Sequence, residues 1–428
     1  MIPNELRKIC NDLISQNQNR IVFDLLDFYF PFANTLDDIN LLGELSAKVS
    51  HSEMFLKCAK VMYSYSPSFE SRTNLYLAHK KMNQPKEALE LIEENLKLRP
   101  NDFFLKLNQA FTTTLLGEKQ KSYDMMRKLE PSNEDQHKNI RYGLSYEKIE
   151  SGNLVDGIRD FFTFAKPLGN PNQEWKGEPV ESLTVIGYGG FGDEFINIRF
   201  MKHLRERGIN AVYYTSKNDI AGLFRRNGFA VTNSINTNIP WVNAALLPSI
   251  LNLTEDDLWD KPYLTPKNRA IPSTKFKVGI KCNGNPYFSQ DIYRRIPMDE
   301  MLSHIPSECE VYLFDKDRTH KDVINLNNTL TNWEVTLDKI DEMDIIVSSC
   351  TSLPHVSAAM GKRTLVLNPI MPYYTWVSTR TDNTTPWYGS HLNTFYQTQM
   401  GSWKEPILQM NEVLKNEIES KHISQSIR

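Results

Sequence analysis

Two positions in the first part of the chain recur with a fixed step, and a fixed step narrows the possible folds more than composition does. The small residue Ala88 returns as Ser122, 34 residues on, and as Gly157, a further 35. Turn-type residues keep the same step at Asn83, Gly117 and Gly152. Moving back 34 residues from Ala88 reaches Met54, inside a weaker copy that runs from Leu41-Leu42-Gly43 to Pro67. Each unit reads as an amphipathic helix pair that cannot bury its own apolar face, so neighbouring units stack into a solenoid with a concave groove. The repeats either dimerise the protein or cap a second domain, or their groove holds an extended partner. Both readings stay open.

The segment Asn74-Leu75-Tyr76-Leu77-Ala78, followed by Ala88, Leu89, Ile92, Leu96 and Pro100, has the pattern of a tetratricopeptide helix pair. This character ends at Pro167-Leu168-Gly169-Asn170-Pro171-Asn172, so residues 1–165 are expected to form a helical repeat domain. Short β-rich runs alternating with helices follow, the pattern of parallel α/β layers. Strands are expected at Leu183–Ile186 and Ala211–Tyr214, with helices at Glu194–Arg207 and Ile220–Asn227. A second series has strands at Lys277–Ile280, Glu310–Phe314, Asp344–Val347 and Thr364–Leu367. Pro262, Pro266 and Pro272 mark a linker between the series, which gives two Rossmann-like halves over residues 178–272 and 273–428.

Charge excludes some functions. Lys plus Arg number 49 against 52 Asp plus Glu, so no global basic field exists to hold nucleic acid. The five cysteines are scattered without a C-x-x-C pair, which argues against a disulfide framework or a zinc site. No apolar run approaches the roughly 18 residues of a membrane span, and the first 20 residues lack the apolar stretch of a secretory signal. A cytoplasmic protein is expected.

Three segments carry candidate chemistry. Gly187-Tyr188-Gly189-Gly190-Phe191-Gly192-Asp193 runs from a strand into a helix, where glycines admit a ligand close to the backbone. Its spacing is not that of the dinucleotide fingerprint, and Asp193 also suits a helix cap. Asn283-Gly284-Asn285-Pro286, with Asp291, Arg294 and Arg295, follows a strand, and paired guanidinium forks suit a diphosphate or stand as surface arginines. Ser348-Ser349-Cys350-Thr351-Ser352-Leu353-Pro354-His355 puts hydroxyls at a helix start, a plausible phosphate seat, with His355 one turn in. Asp315-Lys316-Asp317 lacks a third ligand for a metal and reads as a solvated turn.

In order and spacing these segments resemble glycosyltransferase family 9, in the form fused to tetratricopeptide repeats and related to heptosyltransferases. The resemblance covers most of residues 180–410. It includes Leu247-Pro248-Ser249, Pro262-Tyr263-Leu264, Ile296-Pro297, Gly361-Lys362, Pro386-Trp387-Tyr388 and Gly401-Ser402-Trp403. It implies a GT-B fold, with residues 178–272 on the acceptor side and residues 273–428 holding the nucleotide sugar. It also implies metal-independent, inverting sugar transfer with no cofactor beyond that substrate. Carried over, Asp193 is the catalytic base, and Gly190, Gly192, Lys281, Asn283, Arg294, Arg295, Thr351, Ser352 and His355 bind the donor. The sequence departs from the family pattern at Cys350, where an Asp is usual, at Phe288 for a His and at Cys282 for a Trp. The expected protein is a hexosyl- or heptosyltransferase whose repeats recruit a protein or glycan acceptor. An inactive binding scaffold and a nucleotide-sugar epimerase are the alternatives.

Overall fold

The computed structural model describes residues 5–16, 18–285, 288, 291–377, 380 and 382–426. Its first part is helical: α1 (Leu6–Ser15), α2 (Asn19–Tyr29), α3 (Leu36–Val49), α4 (Ser52–Tyr65), α5 (Phe69–Lys81), α6 (Pro85–Leu98), α7 (Phe103–Leu115), α8 (Lys119–Arg127), α9 (Glu134–Glu150) and α10 (Leu154–Phe161). From α3 to α8 each helix packs on the next. The turns within the pairs α3–α4, α5–α6, α7–α8 and α9–α10 hold Ser50, Asn83, Gly117 and Gly152, with φ of 63°, 62°, 88° and 83°. A left-handed residue after a helix satisfies its last carbonyls and turns the chain back, and Gly or Asn takes that conformation at least cost. The recurring small residues face neighbouring helices: Ala88 and Ser122 are fully buried, and a Cβ on Gly157 would lie 2.5 Å from the Ile149 side chain.

The α/β part begins with β1 (Ser182–Ile186), α11 (Phe191–Asn197), α12 (Met201–Glu206), β2 (Asn210–Tyr214), α13 (Asn218–Arg226), β3 (Val231–Thr232), β4 (Trp241–Asn243), α14 (Leu247–Ile250) and α15 (Glu255–Leu258). Its strands pair in parallel in the order β3-β2-β1-β4. The helix expected over Glu194–Arg207 is broken by a 3-10 turn at Ile198–Phe200, where the Arg199 Nε donates to the Ile196 carbonyl.

A second sheet contains β5 (Lys277–Lys281), β6 (Glu310–Leu313), β7 (Ile324–Asn325), β8 (Ile345–Ser349), β9 (Arg363–Asn368), β10 (Thr384–Thr385) and β11 (Gly389–Tyr396). Between and after them lie α16 (Asp291–Arg294), α17 (Met298–Leu302), α18 (Trp333–Asp341), α19 (Ser352–Ala359) and α20 (Lys404–Ser426). Along the sheet the order is β7-β6-β5-β8-β9-β11-β10, parallel except for β10. Numbered within this sheet, the parallel strands run 3-2-1-4-5-6, the order of doubly wound sheets. Its core is dense with Val278, Ile280, Leu313, Ile345, Val347, Leu365 and Leu367, all fully buried, as expected where helices cover a parallel sheet.

The chain forms two compact units. One extends through residue 136 and includes segments 284–295 and 398–401; the other holds residues 137–283, 296–397 and 402–428. Helices α9 and α10 thus belong with the two sheets, and Ser249 in α14 donates to the Val155 carbonyl of α10 at 2.7 Å. No described helix is long and apolar enough to cross a membrane.

Candidate functional site

In doubly wound sheets, ligands bind beyond the strand C-termini where the strand order reverses. The reversal falls at β1/β4 in the first sheet and at β5/β8 in the second. The glycine turn follows β1, Lys281 ends β5 in register with Ser348, and Thr351-Ser352 follow β8.

Gly189 has φ +80°, and a Cβ there would stand 2.4 Å from the Asp193 Oδ2, so only glycine lets the turn fold under this carboxylate. Asp193 accepts the Gly190 N–H at 2.7 Å, which closes the start of α11. Burial pushes the carboxyl above the usual aspartate range, opposed by the Gly190 hydrogen bond, by the neighbouring Tyr373 hydroxyl and by the charge of Lys217. Tyr188 and Tyr373, both half-buried, join an aromatic cluster with Phe161, Phe162 and Tyr374, whose ring centroids lie 4.9 to 5.6 Å apart.

Gly192 brings the two sheets' loops together. A Cβ on it would stand 2.8 Å from the His355 Cδ2 and 3.3 Å from the Ser352 Cα, so α11 lies directly on the start of α19. Asp193 is therefore sequence neighbour to the point where the β1 turn meets Thr351-Ser352. The Thr351 hydroxyl lies 3.3 Å from that of Ser348, and Ser352 is half-buried. His355 is buried, stacks on Trp376 at 4.3 Å and bonds the Tyr388 hydroxyl through Nδ1 at 2.9 Å. Burial and the Arg199 charge hold it neutral, its pKa pushed down to about 3.

At the end of β5 the peptide N–H groups of Cys282 and Asn283 both donate to Asp315, at 3.0 and 3.2 Å, and the Lys281 ammonium lies 3.4 Å from the same carboxylate. Of the turn expected to be solvated, Lys316 and Asp317 are exposed, but Asp315 is only 3% exposed and clamps the β5 terminus. Asn283 is buried as well, and neither atom of its amide has a protein partner.

Arg294 and Arg295 lie in the other compact unit. Both Nε groups donate to Asp291, at 3.0 and 2.8 Å, and the Arg294 guanidinium sits over the Phe288 ring at 4.9 Å. A Cβ on Gly284 would meet that guanidinium and the Asp291 carboxylate, which gives this glycine a packing reason. Pro286 lies outside the described residues.

Arg199 and Lys217 escape notice in the sequence, since a helical Arg and a loop Lys read as surface residues. Arg199 is buried with its guanidinium 4.5 Å from the Tyr388 ring centroid and 5.1 Å from that of Tyr263, and it donates to the Ile196, Leu258 and Trp387 carbonyls. It ties the first half to the late Trp387-Tyr388 pair. Lys217 bonds Glu194 and the Gly189 carbonyl. Among the described residues, no three His, Cys, Asp or Glu side chains are grouped to hold a metal ion.

No protein-family profile matches the chain, and no curated protein sequence is similar to it. The solved structures that overlap it include the following three. The Thermobaculum terrenum O-GlcNAc transferase shares 12% identity over 91% of this chain and 94% of its own, with a TM-score of 0.33. TibC, a dodecameric iron-containing heptosyltransferase solved with ADP-D-β-D-heptose, shares 10% over 59% of this chain and 78% of its own, TM-score 0.39. MamA of AMB-1 shares 16% over 38% of this chain and 92% of its own, TM-score 0.24. Overlaps at these scores transfer no activity.

Proposed function

We propose that the chain is a metal-independent, inverting glycosyltransferase of the GT-B type that moves a sugar from a nucleotide donor to an acceptor hydroxyl. Its helical pairs would be tetratricopeptide-like repeats that recruit the acceptor. The observation that carries the reading is the setting of Asp193, held by the Gly190 N–H beside the contact between the β1 turn and the α19 start. In the proposed reaction the acceptor oxygen attacks the anomeric carbon while its proton passes to the Asp193 carboxylate. The bond from that carbon to the phosphate oxygen breaks, and the nucleoside diphosphate departs with the electron pair. Lys281, Asn283, Thr351, Ser352, Gly190 and Gly192 would line the donor path, where fixed donors and the Lys281 charge suit the developing phosphate charge. His355 would act from behind, as a packed neutral ring that orders the α19 start. Transfer then requires the ionised carboxylate, so its rate rises with pH through a range above that of an ordinary aspartate.

The test begins with a thermal-shift panel of nucleotides and nucleotide sugars on the full chain, since a ligand at 100 times its Kd stabilises by about 2.7 kcal/mol. With the best donor, Asp193→Asn keeps a group that accepts the Gly190 N–H but removes the base. Transfer should fall at least ~10²-fold at unchanged donor affinity and near-normal Tm. Undiminished transfer would take Asp193 out of the chemistry. Cys350 at the family's Asp position favours a second reading, a scaffold that binds the nucleotide without turnover. Donor binding without release of nucleoside diphosphate would select it.

A further inference from the structure

Behind the glycine turn lies a charged pair for which the reaction above has no use. Glu194, next to Asp193, is 1% exposed and points away into the protein, where the Lys217 ammonium bonds its Oε1. The same ammonium donates to the Gly189 carbonyl at 2.9 Å. Gly187 supplies the room: a Cβ there would stand 2.8 Å from the Glu194 Oε2 and 3.0 Å from the Tyr213 hydroxyl, two buried atoms without a protein hydrogen-bond partner. Lys217 stands just before α13, beyond the end of β2, so it ties the neighbouring strand's loop to the turn that carries Gly190.

A buried ion pair is poor evidence for stability, because desolvating two charges offsets most of their attraction. What it does supply is a fixed place for a cation. We propose that Lys217, through its bonds to Glu194 and the Gly189 carbonyl, is the positioning residue for Asp193: it holds the turn whose N–H orients the carboxylate and places a positive charge beside it. This rests on the reading of Asp193 as the base. The groups that face that carboxylate are Tyr188 on its own turn, Tyr213 on β2, Lys217 before α13, and Tyr373 and Tyr374 after β9. His355 lies beyond Gly192 on α19 and is neutral. Of these only Lys217 brings a positive charge.

Lys217→Met alone would strand a buried Glu194 and can unfold the protein, so the comparison is built on Glu194→Gln. Glu194→Gln by itself keeps the cation and should leave the acid limb of the pH–rate profile in place. Adding Lys217→Met should move that limb to higher pH, and each unit of movement lowers transfer on the acid side about tenfold. Lys217→Arg in the native background should keep the limb. An unmoved limb in the double variant overturns the proposal.

A second measurement works without any transfer assay. Burial favours the protonated form of Asp193 in the folded protein, so the stability linked to it is complete below the ordinary aspartate range and is lost as pH rises through the folded pKa. The Tm difference between the Asp193 and Asp193→Asn forms therefore traces the titration. That window should lie higher in the Glu194→Gln/Lys217→Met background than in Glu194→Gln. Identical windows overturn the coupling. A shifted window in a protein that transfers no sugar would uphold the coupling and refute only the base.

Discussion

Substituting Gly192 with alanine tests whether the two halves meet as tightly as their geometry requires. The added methyl would stand 2.8 Å from the His355 Cδ2 and 3.3 Å from the Ser352 Cα. Neither neighbour yields easily. The imidazole is stacked on Trp376 and bonded to Tyr388, and the Ser352 atom is backbone. Inserting a methyl into such a contact costs about 1–3 kcal/mol, while replacing glycine in a helix returns at most ~1 kcal/mol. A net loss of about 1–2 kcal/mol should lower the Tm by roughly 2–8 °C, at 2–4 °C per kcal/mol for a unit of this size. The control is Gly222, exposed inside α13 with ordinary φ and nothing within 4 Å of the place a methyl would take. There alanine should gain about 0.5–1 kcal/mol from helix propensity alone. Both variants are followed by thermal unfolding in circular dichroism at one pH. If Gly192→Ala melts at or above the parent while Gly222→Ala rises as expected, the contact between α11 and α19 is looser than described, and the joining of the two loops fails with it.

His355 gives a pH dependence of stability. Its folded pKa lies near 3 against roughly 6.5 when unfolded, so stability present above pH 6.5 is lost as pH falls, by about 2 kcal/mol between pH 6.5 and 5. His355→Gln should flatten that part of a Tm–pH curve; an unchanged slope would mean the ring is not held neutral. Tyr293→Phe removes the hydroxyl that donates to the Lys80 carbonyl of α5, and should cost about 0.5–1.5 kcal/mol, measured by urea unfolding. No loss would show that this anchor is not formed.

The turn positions were legible because their constraint is local. Asn83, Gly117 and Gly152 occupy left-handed turns that few other residue types tolerate, and their step is visible along the chain. The buried strands β1, β5, β8 and β9 each carry two or three Leu, Ile or Val residues within five or six positions and could be read directly. Strands β3, β7 and β10 are two residues long, too short for any period, and β11 mixes Ser, His, Asn and Thr with its apolar residues. At the site, Asp193 could be found because glycines surround it. Lys217 could not: its partners, Glu194 and Gly189, lie 23 and 28 residues away, and only the pairing of β1 with β2 brings them together.

The same limit applies more strongly to the arginines. Order along the chain places Arg294 and Arg295 after β5 and so assigns them to the nucleotide half. Yet residues 284–295 cluster with the helical pairs, and Tyr293 reaches the α5 backbone. Asp291, buried, holds both Nε groups and so fixes the two side chains to that segment. The segment is thus held by contacts that chain order cannot show, Tyr293 on the Lys80 carbonyl and Asp291 on both arginines, and its place after β5 in the sequence says nothing of which helices it packs with.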